Sequence, residues 1–179
     1  VSKDQFQLID LSPRQVVGAA ASLIPFLAND EANRALMGTH MQCQAVPLVT
    51  ATSPIVGTGM EKAVVEAMGR TVRARHKGKV IFVDSQKIIV KLSEKPSLAD
   101  NSGQFDSYGG HSENIKIEDD QEIYRLDKFK RSVQSTCYSQ KPLVSALQII
   151  EKGDLLIDGP ASDHGELALG QNMTIAYMS

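Results

Sequence analysis

The sequence predicts an α+β fold, with two N-terminal helices followed by a β-rich body of short strands. Two observations support this prediction. Apolar residues between positions 15 and 27 recur with helical spacing, whereas those after about position 71 alternate or form short runs between turn residues. The chain shows no repeat of fixed period, and its 179 residues are enough for a domain with a hydrophobic core.

The helical segment is predicted at residues 1–47. A first helix begins near Ser12 and Pro13, because serine caps the free N–H groups of a first turn and proline fits its first position. Apolar residues at helical spacing carry this helix to about residue 27, and Pro25 is expected to break or kink it near its end.

A second helix is predicted after a tight polar turn. Asn29 and Asp30 supply its N-cap, and residues 32–37 form a short helix. Gly38 is expected to relax or end this helix, because glycine is a poor helix former. The chain then continues through residues 41–46 towards a proline.

A first β-rich segment is predicted at residues 48–92. A short helix at 60–68 comes before three expected strands, which lie at 71–75, 80–84 and 87–92. Residues 76–79 join the first two strands, and a turn at 84–86 joins the second to the third. Four apolar side chains of the last two strands are expected on one half-buried face: Val80, Phe82, Ile88 and Val90.

Residues 93–122 are predicted to form a variable, flexible surface excursion, because small and acidic polar residues dominate there and apolar residues are sparse. A second β-rich segment is predicted at residues 123–179. Its strands are expected at 123–126, 142–145, 155–157 and 173–178. Turns at 153–154 and 158–160 separate some of them.

The net charge, the cysteine spacing and the lack of common catalytic motifs in the sequence disfavour some classes of function. The formal net charge of −2 gives no sign of nucleic-acid binding by the chain as a whole, so such binding needs a local patch. Cys43 and Cys137 lie 94 residues apart and outside any zinc-binding pattern, which favours two reduced thiols over a metal site. The sequence contains no phosphate-binding loop, nucleophile elbow or zinc-protease helix, which disfavours a conventional small enzyme.

The sequence also bears on where the chain resides. No apolar run is long enough for a membrane span, and the first residues do not form a signal peptide, which favours a cytoplasmic chain without membrane contact. The chain starts without Met and stops directly after a strand-like run. Both ends are therefore expected to be cut points within a longer protein.

The densest polar group on a predicted helix comprises Asp30, Glu31, Asn33 and Arg34. Acidic residues at a helix N-terminus interact favourably with the helix dipole, and Glu31 can pair with Arg34 because they are three residues apart. Spacing alone favours an exposed helix start with one ion pair. The alternative is an arginine held by an acidic neighbour so that it meets a phosphate.

Two basic stretches, at residues 70–79 and 125–131, allow two interpretations. In the first stretch Arg73, Arg75 and Lys77 share one face at strand spacing. A solvated strand edge is favoured over a surface that follows a nucleic-acid backbone. The four histidines are scattered with no evident partner, and no carboxylate motif for catalytic magnesium is present in the sequence.

Several ordered blocks of residues resemble the β subunit of bacterial-type RNA polymerase. The blocks are Ser22–Leu27, Asp30–Gly38, Met41–Pro47, Val56–Glu61, Gln134–Cys137, Gly153–Asp154, Asp158–Pro160 and Gly165–Asn172. They are long, they follow in the same order, and they span most of the chain. The resemblance implies an internal fragment of that subunit, from the region that supports the RNA–DNA hybrid and leads into a double-psi barrel.

The resemblance implies roles in nucleotide and RNA contact for the helical block. Arg34 is expected to face the triphosphate of the incoming nucleotide, with Glu31 or Asp30 orienting it, because a positioned guanidinium suits phosphoryl transfer. Gln44 is expected near the 3′ end of the RNA, and Asn33 supports the group.

Two positions depart from the family pattern. Cys43 stands where the family usually has arginine, in the neighbourhood of the rifamycin pocket, which removes one charge there. His40 stands in place of a common asparagine and keeps the capacity for hydrogen bonding. It is expected to support the same group of residues.

The resemblance further implies activity only within a complete assembly. That assembly is DNA-directed RNA polymerase, a nucleotidyltransferase with α, β′ and ω subunits and a sigma factor, which uses a DNA template and nucleoside triphosphates to extend an RNA transcript. No catalytic residue and no metal ligand is assigned to this chain, since the Mg²⁺ of the full enzyme is bound mainly by β′. The rival hypothesis is a stand-alone β-rich module that binds RNA or serves a structural role without catalysis.

Overall fold

The computed structural model describes residues 8–93 and 114–178. Helices dominate the part before residue 70 and short strands dominate the rest, so the predicted α+β order is confirmed. The α-helices are α1 (Ala19–Ser22), α2 (Ala32–Cys43) and α3 (Met60–Met68), and short 3-10 helices lie at Pro13–Val16 and Leu27–Asn29.

The prediction of one continuous first helix is wrong, because the structure contains three short helical pieces there. Gly18 is extended, with φ −69° and ψ 163°, and separates the first 3-10 helix from α1. Pro25 and Phe26, which has a left-handed φ of 56°, lie between α1 and the next 3-10 helix. Glycine and proline are the poorest helix formers, and here they outweigh the helical spacing of the apolar residues.

The second helix is longer than predicted. α2 runs through Gly38 to Cys43, so the expected ending at Gly38 is wrong. A Cβ atom at Gly38 would lie 3.8 Å from Ile24 Cδ1, which is van der Waals contact. Gly38 therefore lies on the face of α2 that packs towards α1, where a small residue allows close approach.

The described strands form four antiparallel sheets. The strands are β1 (Val72–Arg73), β2 (Gly78–Val83), β3 (Lys87–Leu92), β4 (Ile115–Glu118), β5 (Gln121–Arg125), β6 (Lys130–Arg131), β7 (Cys137–Tyr138), β8 (Lys141–Pro142), β9 (Ile149–Ile150), β10 (Leu155–Asp158), β11 (Ser162–Asp163) and β12 (Glu166–Leu167). The largest sheet has five strands in the order β4-β5-β3-β2-β9, and a three-stranded sheet has the order β1-β10-β8. β6–β7 and β11–β12 form two separate pairs.

The β2–β3 hairpin confirms the turn predicted at residues 84–86. Asp84 Oδ1 accepts hydrogen bonds from the backbone N–H groups of Gln86 (2.6 Å) and Lys87 (2.7 Å). These two donors hold the pKa of the Asp84 carboxyl below its usual value. The expected burial of Phe82 is wrong, because the register shifts between Val80 and Phe82 and leaves Phe82 42% exposed.

The first two strands are not neighbours in one sheet, although the sequence predicts that they are. β1 pairs with β10 in the three-stranded sheet, whereas β2 pairs with β3 and β9 in the five-stranded sheet. The connection is residues 74–77, which carry the chain from one sheet to the other and do not form a hairpin, and residues 78–79 already belong to β2. Pairing between distant strands such as β1 and β10 is not encoded in local sequence.

Two predicted boundaries in the second half are wrong. The excursion proposed for residues 93–122 includes β4 and the start of β5, which are regular strands of the largest sheet. Residues 94–113 of that excursion lie outside the described residues. The strand expected at 173–178 is not formed, and Met173, Ile175 and Tyr177 are exposed there.

One hydrophobic core joins the two larger sheets. Its buried side chains are Val72, Ala74, Val80, Ile88, Val90, Tyr124, Leu126, Val144, Ile150, Leu156 and Ile157. They come from both β-rich segments, 48–92 and 123–179, so these segments fold together. α3 packs against β12, and α1 contacts both α2 and α3, which places the helical part beside the β body. Among the described helices, none is both long and apolar enough to cross a membrane.

Candidate functional site

α2 presents two different faces. Ala35, Gly38, Thr39 and Gln42 are partly buried and recur with helical spacing, so they form the inner face. Arg34, Met37, Met41 and Gln44 are all exposed, and they recur with the same spacing on the opposite side. The outer face thus carries one cation and one amide, with two methionines between them.

Polar contacts at the start of α2 differ from the predicted ion pair. Asp30 Oδ1 accepts a hydrogen bond from the Glu31 backbone N–H (2.9 Å), and Glu31 Oε1 accepts one from Asn33 Nδ2 (2.7 Å). Among the described residues, Arg34 forms no ion pair, and its Nη1 contacts Met37 Sδ at 3.8 Å. The expected pairing with Glu31 or Asp30 is therefore not formed, and the guanidinium is left exposed to solvent with its charge uncompensated.

At the C-terminal end of α2, His40 restrains the side chain of Gln44. Gln44 follows the last residue of α2 as its C-cap, and its Nε2 lies 2.8 Å from His40 Nε2, one turn back along the helix. This hydrogen bond restrains the Gln44 side chain at the helix end. The structure thereby brings together two of the residues singled out in the sequence, His40 and Gln44.

The helix geometry sets the distances between the predicted site residues. Gln44 lies ten residues after Arg34, which corresponds to about 15 Å along the helix axis. Cys43 is exposed and lies about half a turn around the helix from Arg34. Gln44 lies about 80° around the helix from Arg34, whereas Cys43 faces away from Arg34.

Comparison with known proteins decides the family. A family model described as RNA polymerase Rpb2, domain 6, matches residues 73–179. The chain belongs to this family. Over 178 residues, 99% of its length, it is 48% identical to the DNA-directed RNA polymerase subunit beta of Geobacter sulfurreducens and 49% identical to that of Geobacter sp. strain M21. The identity to the same subunit of Syntrophotalea carbinolica is 46%.

These matches confirm the resemblance to the bacterial polymerase β subunit. The Rpb2 domain 6 model covers the strands from Arg73 onward, while the similarity to the β subunits also includes the helical part with Arg34 and Gln44. The chain spans 12% of the length of these relatives. It is thus similar to one portion of a much longer subunit.

In this member of the Rpb2 family, the first basic stretch is engaged with the protein itself. Arg73 pairs with Glu66 at 2.7 Å and donates to the Gly153 carbonyl at 3.0 Å, and Lys77 pairs with Glu151 at 2.6 Å. Carboxylate and carbonyl groups of the chain already bind these cations. The interpretation of the first basic stretch as a row of nucleic-acid-binding residues is therefore not supported. Partly exposed ion pairs of this kind are typical of solvated edges.

The second basic stretch follows the same pattern. Lys128 Nζ donates to the Gln140 carbonyl at 2.7 Å, Lys130 pairs with Asp127 at 2.6 Å, and Arg131 Nη2 donates to Ser135 Oγ at 2.9 Å. These cations brace the loop around the β6–β7 pair. Within residues 8–93 and 114–178, the exposed charge of Arg34 has no such partner.

Sequence analysis missed a buried polar group between the two larger sheets. His76 Nδ1 lies 3.3 Å from Glu122 Oε2, although His76 was expected to have no partner, and Glu122 is fully buried. Tyr124 is buried beside it, and its hydroxyl accepts a hydrogen bond from the Arg75 backbone N–H at 3.1 Å. Burial, and then the nearby Glu122, raise the pKa of Tyr124. The group joins the segment between β1 and β2 to β5, and no local motif indicates it.

The residues do not fit a metal centre. Within residues 8–93 and 114–178, no group of three or more His, Cys, Asp or Glu side chains is arranged to hold a metal ion. Cys43 and Cys137 are free and exposed.

Proposed function

We propose that this chain takes part in transcription as a portion of the β subunit of DNA-directed RNA polymerase, where it contacts the incoming nucleotide and the RNA 3′ end. The observation that supports this most directly is the outer face of α2. It carries an exposed Arg34, which forms no ion pair within the described part of the chain, and a restrained Gln44, and the chain is about half identical to polymerase β subunits.

Arg34 is proposed to bind the triphosphate of the nucleotide. A guanidinium forms paired, charge-assisted hydrogen bonds with phosphate oxygens, and it stays charged at every physiological pH. Phosphoryl transfer gains from cations placed where negative charge develops, and it needs little covalent help from protein. An arginine already paired with Glu31 would lose part of that attraction, so the observed contacts of Glu31 with Asn33 favour phosphate binding.

Gln44 is proposed to contact the sugar or phosphate at the RNA 3′ end. Its amide can donate and accept hydrogen bonds without adding charge. Gln44 lies about 15 Å along α2 from Arg34. The two side chains are therefore proposed to contact different substrates, Arg34 the nucleotide and Gln44 the RNA 3′ end. His40 orients the amide, and Asp30, Glu31 and Asn33 stabilise the first turn that carries Arg34.

The remaining parts of the reaction are proposed to come from elsewhere in a cytoplasmic complex. These parts are the Mg²⁺ site of β′, the α and ω subunits, a sigma factor, the DNA template and the nucleoside triphosphates. Residues 73–179 are proposed to support the RNA–DNA hybrid and to lead into the double-psi barrel. Cys43 is proposed to lie near the rifamycin pocket with one positive charge fewer than is usual there.

An exchange of segments tests this function in a complete enzyme. The 179 residues replace the aligned segment of the Geobacter sulfurreducens β subunit, to which they are 48% identical. The assembled polymerase is expected to extend a primed RNA on a DNA template, because the exchanged segment supplies equivalent substrate contacts. The matched control is the same exchange carrying Arg34→Ala, which should extend RNA more slowly. An exchange enzyme that assembles fully but adds no nucleotide would contradict the proposal.

A further inference from the structure

The segment between α2 and α3 is held by the chain that follows β12. Thr52 forms an isolated β-bridge with Gly170, in which the Thr52 N–H donates to the Gly170 carbonyl at 3.0 Å. Gln171 Nε2 donates to the Thr50 carbonyl at 2.9 Å. The linker has little regular secondary structure of its own, so contacts across more than 110 residues of sequence determine its path.

Asn172 makes the densest set of these contacts. Its Nδ2 donates to the Ser53 carbonyl at 2.8 Å and to Thr52 Oγ1 at 3.2 Å. Its Oδ1 accepts a hydrogen bond from the Ile55 backbone N–H at 3.2 Å, and its own backbone N–H donates to Thr52 Oγ1 at 3.1 Å. Only an amide side chain supplies donors and an acceptor at once in this arrangement.

Apolar burial does not provide an alternative anchor for the linker. Ile55 is 85% exposed, Val49 is 88% exposed and Leu48 is 44% exposed, so the large apolar side chains of the segment contribute limited packing. Lys141 Nζ donates to the Val49 carbonyl at 2.6 Å and Asp163 Oδ2 accepts from the Ser53 N–H at 3.0 Å, which adds polar contacts at both ends. Hydrogen bonds therefore fix the linker, and Asn172 forms several of them.

The linker leads directly into the candidate site. Thr52 lies eight residues after Gln44, and Asn172 borders a cavity of about 210 Å³ together with Gln42, which lies on the inner face of α2. Leu23 next to α1 and Glu61 of α3 border the same cavity. Asn172 thus lies at the junction of the helical part and the β body.

We propose that Asn172 is a positioning residue for RNA synthesis, which fixes the linker and thereby the position of Gln44 at the end of α2. This proposal rests on the proposed function of Gln44. Asn172 itself touches no substrate in this account and acts only through the linker. Substitution of Asn172 is therefore expected to reduce the contribution of Gln44 to the rate of nucleotide addition, without abolishing nucleotide binding at Arg34.

A double-mutant cycle in the complete polymerase tests the proposal. Asn172→Ala is expected to slow nucleotide addition at saturating substrate about fivefold and to leave the apparent KM within about twofold, because the linker loses the three hydrogen bonds of the Asn172 side chain. In a Gln44→Ala enzyme the same substitution should change the rate less than about twofold, because the two residues act together. Asn114→Ala is the matched control, since the Asn114 side chain donates to Asp127 Oδ1 and forms none of the linker hydrogen bonds described above.

Each outcome decides a separate claim. If Gln44→Ala slows addition but Asn172→Ala does not, or if the two effects multiply, the positioning role is wrong and the proposed function stands. If Gln44→Ala has no effect, the proposed function of Gln44 fails and positioning fails with it. Amide hydrogen exchange then still shows whether Asn172→Ala loosens the Thr52 and Ile55 amides. Asn172→Asp provides a second variant for assembly, because it keeps the acceptor for Ile55 and replaces the donor to Ser53 with a carboxylate oxygen.

Discussion

At the scale of single residues, the electrostatic environment of Arg34 is the main feature of the molecule. Its guanidinium projects from the first turn of α2 with a methionine sulfur as its neighbour, and the nearby acidic side chains bond elsewhere. An exposed charge of this kind contributes little to stability. Its availability for an anionic ligand is what distinguishes it from Arg73, which is paired with Glu66.

Gln44 gives a second prediction at this scale. In the complete polymerase, Gln44→Ala is expected to slow single-nucleotide addition about fivefold, the rate equivalent of one hydrogen bond of roughly 1 kcal/mol. Gln44→Glu should be slower still, because its carboxylate repels nucleic-acid phosphates. The measurement is rapid-quench kinetics on a primed template. Gln121→Glu, an exposed position in β5, is the charge-matched control and should act as wild type. Equal rates for Gln44→Glu and wild type would contradict the assignment.

How far the site could be predicted differs from residue to residue. Arg34 and Gln44 lie in blocks that resemble a known family, and the helix that carries both was expected, although not its full length. The contacts of Glu31 with Asn33 and of His76 with Glu122 depend on side-chain geometry and strand pairing. Spacing allows Glu31 to reach Arg34, yet the competing amide of Asn33 is one residue closer in sequence.

At the scale of secondary-structure elements, α3 shows how one carboxylate fixes a helix start. Glu61 accepts hydrogen bonds from the Thr58 and Gly59 backbone N–H groups, each at 2.8 Å, and is itself buried. The Thr58 donor is the main cause of a lowered pKa for the Glu61 carboxyl. The ionised side chain therefore stabilises the turn that leads into α3.

Stability should follow the ionisation of Glu61. Because its folded-state pKa is lowered from the ordinary 4.5, its contribution is present above that value and is lost as pH falls through the lower folded-state pKa. Glu61→Gln is expected to destabilise the chain by about 1 kcal/mol at neutral pH and by much less near pH ~3. Urea unfolding followed by circular dichroism measures this difference. Glu118→Gln, on an exposed strand position, is the control, and an equal loss at both pH values would contradict the account.

Some secondary-structure elements formed where the sequence predicts them and others did not, and the difference has physical causes. The β2–β3 hairpin and α3 have strong local signals in a polar turn and in apolar spacing, and both formed where expected. The first helix failed because Gly18 and Pro25 act locally against a weak periodic signal. The bulge near Phe82 and the pairing of β1 with β10 depend on distant partners, which local patterns do not encode.

At the scale of the whole molecule, the chain combines a single core with much uncovered apolar surface. The buried cluster joins the two larger sheets, but many large apolar side chains are exposed. Examples are Val133 at 98%, Leu8 at 92%, Ile9 at 87% and Phe129 at 78%. Large exposed apolar areas usually mark surfaces that other parts of an assembly cover. This agrees with similarity to 12% of a longer subunit.

The isolated chain is therefore expected to self-associate. Gel filtration with light scattering should give a mass above the 19.4 kDa of the monomer, and the excess should grow with concentration. The isolated chain should also bind RNA weakly, because its two basic stretches are engaged internally. A monodisperse monomer that binds RNA tightly would favour the rival hypothesis of a stand-alone RNA-binding module.

The central claim is that Arg34 binds the triphosphate of the incoming nucleotide. The most direct measurement is single-nucleotide addition by the complete polymerase carrying Arg34→Ala, across a range of nucleotide concentrations. The apparent KM is expected to rise about tenfold or more, because a charge-assisted contact of roughly 1.5–3 kcal/mol is lost, and Arg34→Lys should recover part of it. Addition kinetics unchanged from wild type at low nucleotide concentration would contradict the claim.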